Sequence, residues 1–472
     1  MTTVTESIGG TAAEMPQPFG VDATTGDTHP PLSERDLTAI SEDGDEVKQR
    51  AQDEAHLAAV PTIDPKNLAE AGWGIVFPAK IDPQIVKALE PLIEHRRRQV
   101  GSDDLLKVFS DKKGVLSPTQ SATDWLARFG VGLAPVEPSN GVPFYLTLVG
   151  SPQEISFDFQ YVLDLQWCVG RLSFDTPAEY EAYARAVVEY ETANTVPHKK
   201  RVAMWMPQHA GDAATTMLAT QVGQRFEQTG LGVKKGYKLD SYIGPKATKA
   251  QLRSILREAS ADGPPALLFT GSHGLEWPKA DPAGQKKHQG ALVTQEWTRG
   301  QGVTADQRFS GEDVPADAKV LGMVHFLFAC FGGGCPVTDT YRKGPNGEAI
   351  ELADQPLVAH LPQQMLSRGA LAVMAHIDRA WSWSFQTGSG MPQDQVIRST
   401  IETVLAGVPV GLALDFFNLQ WSTLAARLGM LLGQLKPPTA AALANLYIAR
   451  DDARNYALFG DPAVRLRVGD MG

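Results

Sequence analysis

Apolar residues fall along the chain in two kinds of run. Residues 74–78, 143–150, 169–172, 202–206, 266–270 and 324–329 are nearly continuous apolar blocks bounded by turn residues, which predicts buried strands of a parallel sheet. Between them, residues 83–99, 176–192, 215–229 and 249–259 carry apolar side chains at helical spacing. The first of these helices ends in Arg96, Arg97 and Arg98, and the second opens with Thr176 as cap and Pro177 in the first turn. A further strand is expected at 233–239. Residues 393–449 read as helical, and Leu424, Leu428, Leu431, Leu432 and Leu435 form a stripe of the kind that faces a core. The alternation implies an α/β fold, a mostly parallel sheet flanked by helices, with its ligand site beyond the carboxyl ends of the strands. A polar, basic link at 198–201 divides a smaller α/β subdomain, 61–198, from a larger one with C-terminal helices, 199–472.

The first 60 residues lack such patterning, and composition explains them differently. Residues 1–56 contain twelve acids and three bases, so they hold nine of the eleven net negative charges of the 472-residue chain. Rich in Thr, Gly, Pro and Ser, this stretch is expected to be a disordered acidic tail, because it offers too little apolar surface to offset chain entropy. A regulatory or removable pro-segment is the functional alternative. The nearly neutral remainder offers no basic surface for nucleic acid, and no apolar run reaches membrane-spanning length. Three cysteines, Cys168, Cys330 and Cys335, cannot make a disulfide framework, and no secretory leader is evident, which leads to the expectation of a cytoplasmic protein.

Two of the buried-type strands run into glycine-rich turns that carry reactive side chains. The block 266–270 ends at Gly271-Ser272-His273-Gly274, and 324–329 ends at Cys330-Phe331-Gly332-Gly333-Gly334. A thiol attacks a carbonyl as its thiolate, and a neighbouring imidazole supplies that state by taking the proton. The amides of Gly274 and Cys330 are candidates for the oxyanion hole. Against this, Cys330 could be a small buried residue and His273 a turn residue. A weaker reading makes His325, Cys330 and Cys335 a zinc site, but 325 and 330 fall on opposite faces of one strand. No metal and no cofactor are expected.

The ordered motifs from 140 to 468 resemble the gingipain-like peptidases of the caspase fold. Phe144–Gly150 and Cys168–Leu172, with a helix ending Val188-Glu189-Tyr190-Glu191, are similar to the family's first, non-catalytic subdomain. Thr270–Gly274 resembles the catalytic histidine motif and Phe328–Gly333 the nucleophile motif. Residues 369–375, Ala380-Trp381-Ser382 and the closing run 459–466 match in order. The resemblance implies a cysteine endopeptidase with His273 as general acid/base, Cys330 as nucleophile, and Gly274 and Cys330 as oxyanion donors. It implies an S1 pocket with Asp212 at its floor and Trp381 as a wall, which favours Arg or Lys at P1, the residue on the acyl side of the cleaved bond. Asp212 could instead cap the helix near Thr215. The acid that the family uses to support the histidine is not visible, and His209 stands near its place. Residues 336–356 read as an insertion, a lid or a processing loop. Expected partners are a protein or peptide substrate and a regulatory protein, with neither nucleic acid nor membrane. The competing expectation is a catalytically idle caspase-fold scaffold that binds other proteins.

Overall fold

The structure is a computed structural model that describes residues 17–33, 36, 59–257, 263–386, 391–432 and 439–471. Its centre is a ten-stranded sheet: β1 (Trp73–Val76), β2 (Leu106–Phe109), β3 (Tyr145–Val149), β4 (Cys168–Leu172), β5 (Lys199–Met206), β6 (Lys238–Ile243), β7 (Pro265–Gly271), β8 (Val324–Phe328), β9 (Ala372–His376) and β10 (Tyr456–Gly460). Across the sheet their order is β2-β1-β3-β4-β10-β9-β8-β7-β5-β6. Every neighbouring pair is parallel except β9–β10, so the sheet reverses polarity once, at its middle. The two α/β units on either side of residue 198 therefore share one sheet, joined through the last strand of the chain.

Most central strands have no exposed residue, as their continuous apolar runs require of strands covered on both faces. Helix Pro83–Val100 starts at an Asp82 cap and packs along helix Pro177–Thr192, which opens with a Thr176–Glu179 capping box. The C-terminal helical region is three helices, Gln395–Leu405, Val410–Leu432 and Ala440–Arg454. Of the predicted leucine stripe, Leu428 is buried and Leu424, Leu431 and Leu432 pack at its edge, while Leu435 lies outside the described residues. Among the described residues no helix is long and apolar enough to cross a membrane.

Three expectations need correction. The strand predicted at 233–239 is displaced: 233–235 form a 3-10 turn, Gly232 and Gly236 take positive φ, and the strand is β6. As an edge strand with no fully buried position, β6 lacks the apolar run that marks the others. The helix expected at 215–229 is present and continuous from 213 to 229 but not uniform: its middle, Ala219–Gln224, widens into π-helical turns between the α-helical Ala213–Leu218 and Arg225–Thr229. The acidic tail is not disordered throughout. Residues 17–33 lie against the sheet, with Gly20–Asp22 paired in parallel to the strand Gly274–Glu276 and with Phe19, Val21 and Leu32 buried. Average composition hides these few apolar residues, which enter a cleft the body already provides. The rest of the tail, 1–16, 34–35 and 37–58, lies outside the described residues.

Candidate active site

Parallel pairing of β7 with β8 aligns Gly271 with Phe328, and the Ser272 amide extends the ladder to the Phe328 carbonyl at 3.0 Å. His273 and Cys330, each two residues further on, thus leave the sheet side by side at its carboxyl edge. Gly274 fits here only because it lacks a side chain: a Cβ would come within 1.8 Å of the Cys330 carbonyl oxygen. After Cys330, Phe331 takes φ 58°, held by its amide to the Asp378 carbonyl at 2.6 Å. A non-glycine residue in that region stores about 1–3 kcal/mol, and here it turns the chain sharply under Cys330.

The loop after β5 supplies what the sequence did not reveal. Asp212 Oδ2 lies 2.8 Å from His273 Nε2 and also accepts from the Thr215 amide at 3.0 Å and the Thr215 hydroxyl at 2.5 Å. It is both the cap of helix Ala213–Leu218 and the partner of the histidine. Burial by itself would raise the Asp212 carboxyl, but the charge and hydrogen bond of His273, with the bonds from Thr215, outweigh it and hold the carboxyl well below the usual carboxylate range. With Nε2 directed to Asp212, Nδ1 is the free ring nitrogen, buried and without a hydrogen-bond partner in the structure. Asp212, expected either at the floor of an S1 pocket or as a helix cap, is thus engaged by both His273 and Thr215, and it places a carboxylate beside the histidine where the sequence showed none. His209 lies parallel to His273 at 6.2 Å and bonds through Nε2 to the Thr294 carbonyl at 2.9 Å. Burial first, then the nearby His273, lowers its pKa to about 4.

Cys330 is fully buried, and burial pushes its thiol up to about 12 against the opposing pull of Arg379. Its sulfur accepts from the Ala380 amide at 3.3 Å. His325 bonds to Thr270 at 2.8 Å and Cys335 receives the Gln289 amide at 3.4 Å, so neither turns toward Cys330 as a zinc ligand. The three groups that do converge are His209, Asp212 and His273, whose potential ligand atoms lie within 4.8 Å of one another.

The cleft at Cys330 holds an extended peptide, the chain's own residues 17–22. The Gln17 amide donates to the Ser382 hydroxyl at 3.0 Å, the Ser382 amide donates to the Gln17 carbonyl at 3.1 Å, and Pro18 bridges antiparallel to Trp381. The Phe19 amide donates to the Ala380 carbonyl at 3.1 Å, and the Phe19 carbonyl accepts from the Gly274 amide at 2.7 Å. The Phe19 ring sits among the rings of Phe328, Phe385 and His273, at 4.8, 5.8 and 5.9 Å. Trp381 meets this segment through its main chain, while its indole packs on Tyr341 at 5.1 Å in a core cluster. Beyond Phe19, His29 contacts Glu276 at 3.1 Å, and Arg379 binds Glu276 at 2.7 Å and Asp339 at 2.8 Å. Asp339 belongs to the predicted insertion, which is a hairpin of strands Thr338–Lys343 and Ala349–Glu351. Its Arg342 also reaches the Pro30 carbonyl, so the hairpin braces the N-terminal segment.

The structure thus brings His273, Gly274 and Cys330 together, and places beside them Ala380, Arg379 and the 17–22 segment, which the sequence pattern did not mark. The one available signal was the compact run Pro18-Phe19-Gly20-Val21 in an otherwise polar tail.

Among curated proteins none matches the sequence. Solved structures with a similar chain path include the Arg specific cysteine proteinase gingipain R, at 12% identity over 87% of this chain and 80% of that one, TM-score 0.47. A complex of Porphyromonas gingivalis RgpB pro- and mature domains matches at 12% over 84% and 80%, TM-score 0.46. The Saccharomyces cerevisiae separase–securin complex matches at 11% over 68% of this chain and 15% of that one, TM-score 0.31. The sequence model of peptidase family C25 matches residues 75–467, which takes in both α/β units, the histidine and cysteine turns and the closing strand. The chain belongs to peptidase family C25 and is a cysteine-type endopeptidase.

Proposed function

We propose that the enzyme cleaves peptide bonds with Cys330 as nucleophile and His273 as general acid/base, and that Asp212 orients the imidazole. The observation that carries this reading is an extended peptide main chain lying against Cys330 with one carbonyl on the Gly274 amide. In a substrate the same amide would stabilise the oxyanion formed on attack, a contribution of about 3–4 kcal/mol per donor in comparable sites. His273 Nδ1 would take the thiol proton and return it to the leaving amine, while Asp212 on Nε2 fixes the tautomer that leaves Nδ1 basic. A neutral buried thiol makes this proton transfer part of the reaction rather than a prior ionisation.

The preference for Arg or Lys at P1 has lost the carboxylate on which it rested, because Asp212 is engaged by His273 and Thr215. Regulation fits the same geometry: with residues 17–22 in place, His273 and Cys330 are both fully buried, and a second peptide has no room. That burial also favours one alternative, an idle scaffold whose cleft is permanently filled. Comparing wild type with Cys330→Ala on a peptide library randomised at P1 separates the two. Loss of about 10³-fold or more in kcat/KM supports the peptidase, as removal of a nucleophile does elsewhere. Equal hydrolysis by both proteins removes Cys330 from the mechanism.

A further inference from the structure

The segment in the cleft does more than block it. Its main-chain contacts on the two sides of Phe19 differ in kind. Residues 17–19 run antiparallel to 380–382, and residues 20–22 continue beyond Cys330 in parallel register with Gly274–Glu276. The chain therefore crosses the nucleophile once, without reversing, and the peptide that lies at the crossing is Phe19–Gly20. The Phe19 amide is fixed by Ala380, and its carbonyl rests on Gly274, the amide adjoining His273. Ala380 also holds the Cys330 sulfur. These contacts are those a cleavable bond needs: the acyl residue pinned at both ends of its peptide unit, the carbonyl polarised, and the leaving amine directed away along a separate strand.

The side chains agree with the main chain. The Phe19 ring is surrounded by the rings of Phe328, Phe385 and His273, and Asp212, the carboxylate beside His273, is already engaged by His273 and Thr215, so these residues suit an aromatic side chain better than the hydrated head group of Lys or Arg. On the leaving side Gly20 is the residue that fits, because a Cβ would stand 2.0 Å from His29 Nδ1. Nothing in the segment is strained into an unreactive turn at the crossing: Gly20 lies within a regular strand pairing.

We propose that Phe19–Gly20 is a self-processing site, and that the pocket around Phe19 gives the enzyme a preference for an aromatic residue at P1. The inference rests on the cysteine peptidase reading above. The Cys330 thiol passes its proton to His273 Nδ1 as sulfur bonds to the Phe19 carbonyl carbon, with the oxyanion on the Gly274 amide. The carbon–nitrogen bond breaks as Nδ1 protonates the Gly20 nitrogen. Water then gives one proton to Nδ1 and its hydroxyl to the thioester, releasing a Phe19 carboxyl terminus, and the sulfur recovers the proton. The products are residues 1–19 and a chain that begins at Gly20, which frees the pocket.

The test uses the full chain at neutral pH, followed by intact mass and N-terminal sequencing. Wild type is expected to convert to a species starting at Gly20 at a rate independent of protein concentration, while Cys330→Ala stays intact. Phe19→Tyr should be processed like wild type, and Phe19→Asp at least about tenfold more slowly, since a carboxylate is unpaired in this pocket. The Phe19→Asp chain, in which the segment is weakened, is also given the P1-randomised library. Cys330-dependent hydrolysis of that library, favouring Phe and Tyr, supports the inference. If that hydrolysis is present but wild type keeps residues 1–19, is cut elsewhere, or the library is cut after Arg or Lys, this inference is overturned and the peptidase reading stands. If the variant neither hydrolyses the library nor is alkylated at Cys330 by a thiol-directed electrophile, the peptidase reading falls and takes this one with it.

Discussion

At the scale of single residues, Asp212 shows how one carboxylate can be misread from sequence. Its place before a helix and its place near a histidine are both local facts, but only the first can be seen in a string of residues. The second depends on the loop after β5 reaching over the end of β7, two strands that are 61 residues apart at the relevant atoms. The two duties can be separated by substitution. Asparagine keeps an acceptor for Thr215 and so keeps the helix cap, but it removes the charge that stabilises a protonated His273. Asp212→Asn is expected to melt within about 1 kcal/mol of wild type while kcat falls about 10²–10⁴-fold with KM little changed. Alanine at the same position should add a loss of about 1 kcal/mol in stability for the missing cap. An Asp212→Asn enzyme with unaltered kcat would leave the carboxylate as a cap only. His273 and Cys330 were legible for the opposite reason: each ends an apolar block at a glycine turn, and adjacent parallel strands bring such ends together without any further information.

At the scale of elements, the strand Gly20–Asp22 and its loop are held by a titratable contact as well as by main-chain pairing. His29 is buried against Glu276, Arg379 and Arg342, and burial first, then Arg379, lowers its pKa to about 4, while Glu276 is lowered to about 2 and remains charged. A histidine whose pKa falls on docking binds as the neutral base. Its contribution to docking is complete above the free-histidine pKa of about 6.5, and declines as pH drops from there toward about 4, where the released segment takes up a proton the docked one refuses. In the Cys330→Ala chain, which cannot process itself, hydrogen exchange at Val21 and Ala23, corrected for intrinsic rate, should therefore accelerate across that window. Protection that is constant from pH 7 to pH 4 would show that His29 does not govern the dock. His29→Gln should flatten the profile. None of this element was readable in advance, because a three-residue strand has no periodicity, and its apolar residues become meaningful only beside the cleft that buries them.

At the scale of the whole molecule, β10 has the largest consequence and the least sequence signal for its position. Its apolar run and the closing Gly460-Asp461 mark a strand and a turn, but pairing with β9, and with β4 hundreds of residues earlier, is a tertiary fact. What holds it there is a buried polar hub. Asp461 accepts from the Trp73 indole at 3.0 Å and the Arg96 guanidinium at 2.7 Å, and Arg96 also clasps Glu191 at 2.7 and 2.9 Å. The Asp461 amide in turn donates to the Tyr183 hydroxyl at 2.6 Å. The hub ties the C-terminal strand to β1 and to helices Pro83–Val100 and Pro177–Thr192 of the first unit, so it is a place where the two halves of the sheet are joined. Burial would lower the Arg96 pKa, but the charges of Asp461 and Glu191 outweigh it and raise it further, so the guanidinium carries its charge at any working pH. Removing one member leaves the others charged and dry, which costs about 3–5 kcal/mol in comparable buried pairs, whereas removing both partners leaves less uncompensated charge. Asp461→Ala should thus lower the free energy of unfolding, measured by chemical denaturation, by that amount, and the Arg96→Met, Asp461→Leu double variant by less than the sum of its single changes. Strict additivity would mean that the two side chains stabilise separate parts, and that the sheet halves are joined by main-chain pairing alone. Subadditivity with one cooperative transition would assign the join to this hub, and with it the fixed distance between the first unit and the strand beside Cys330.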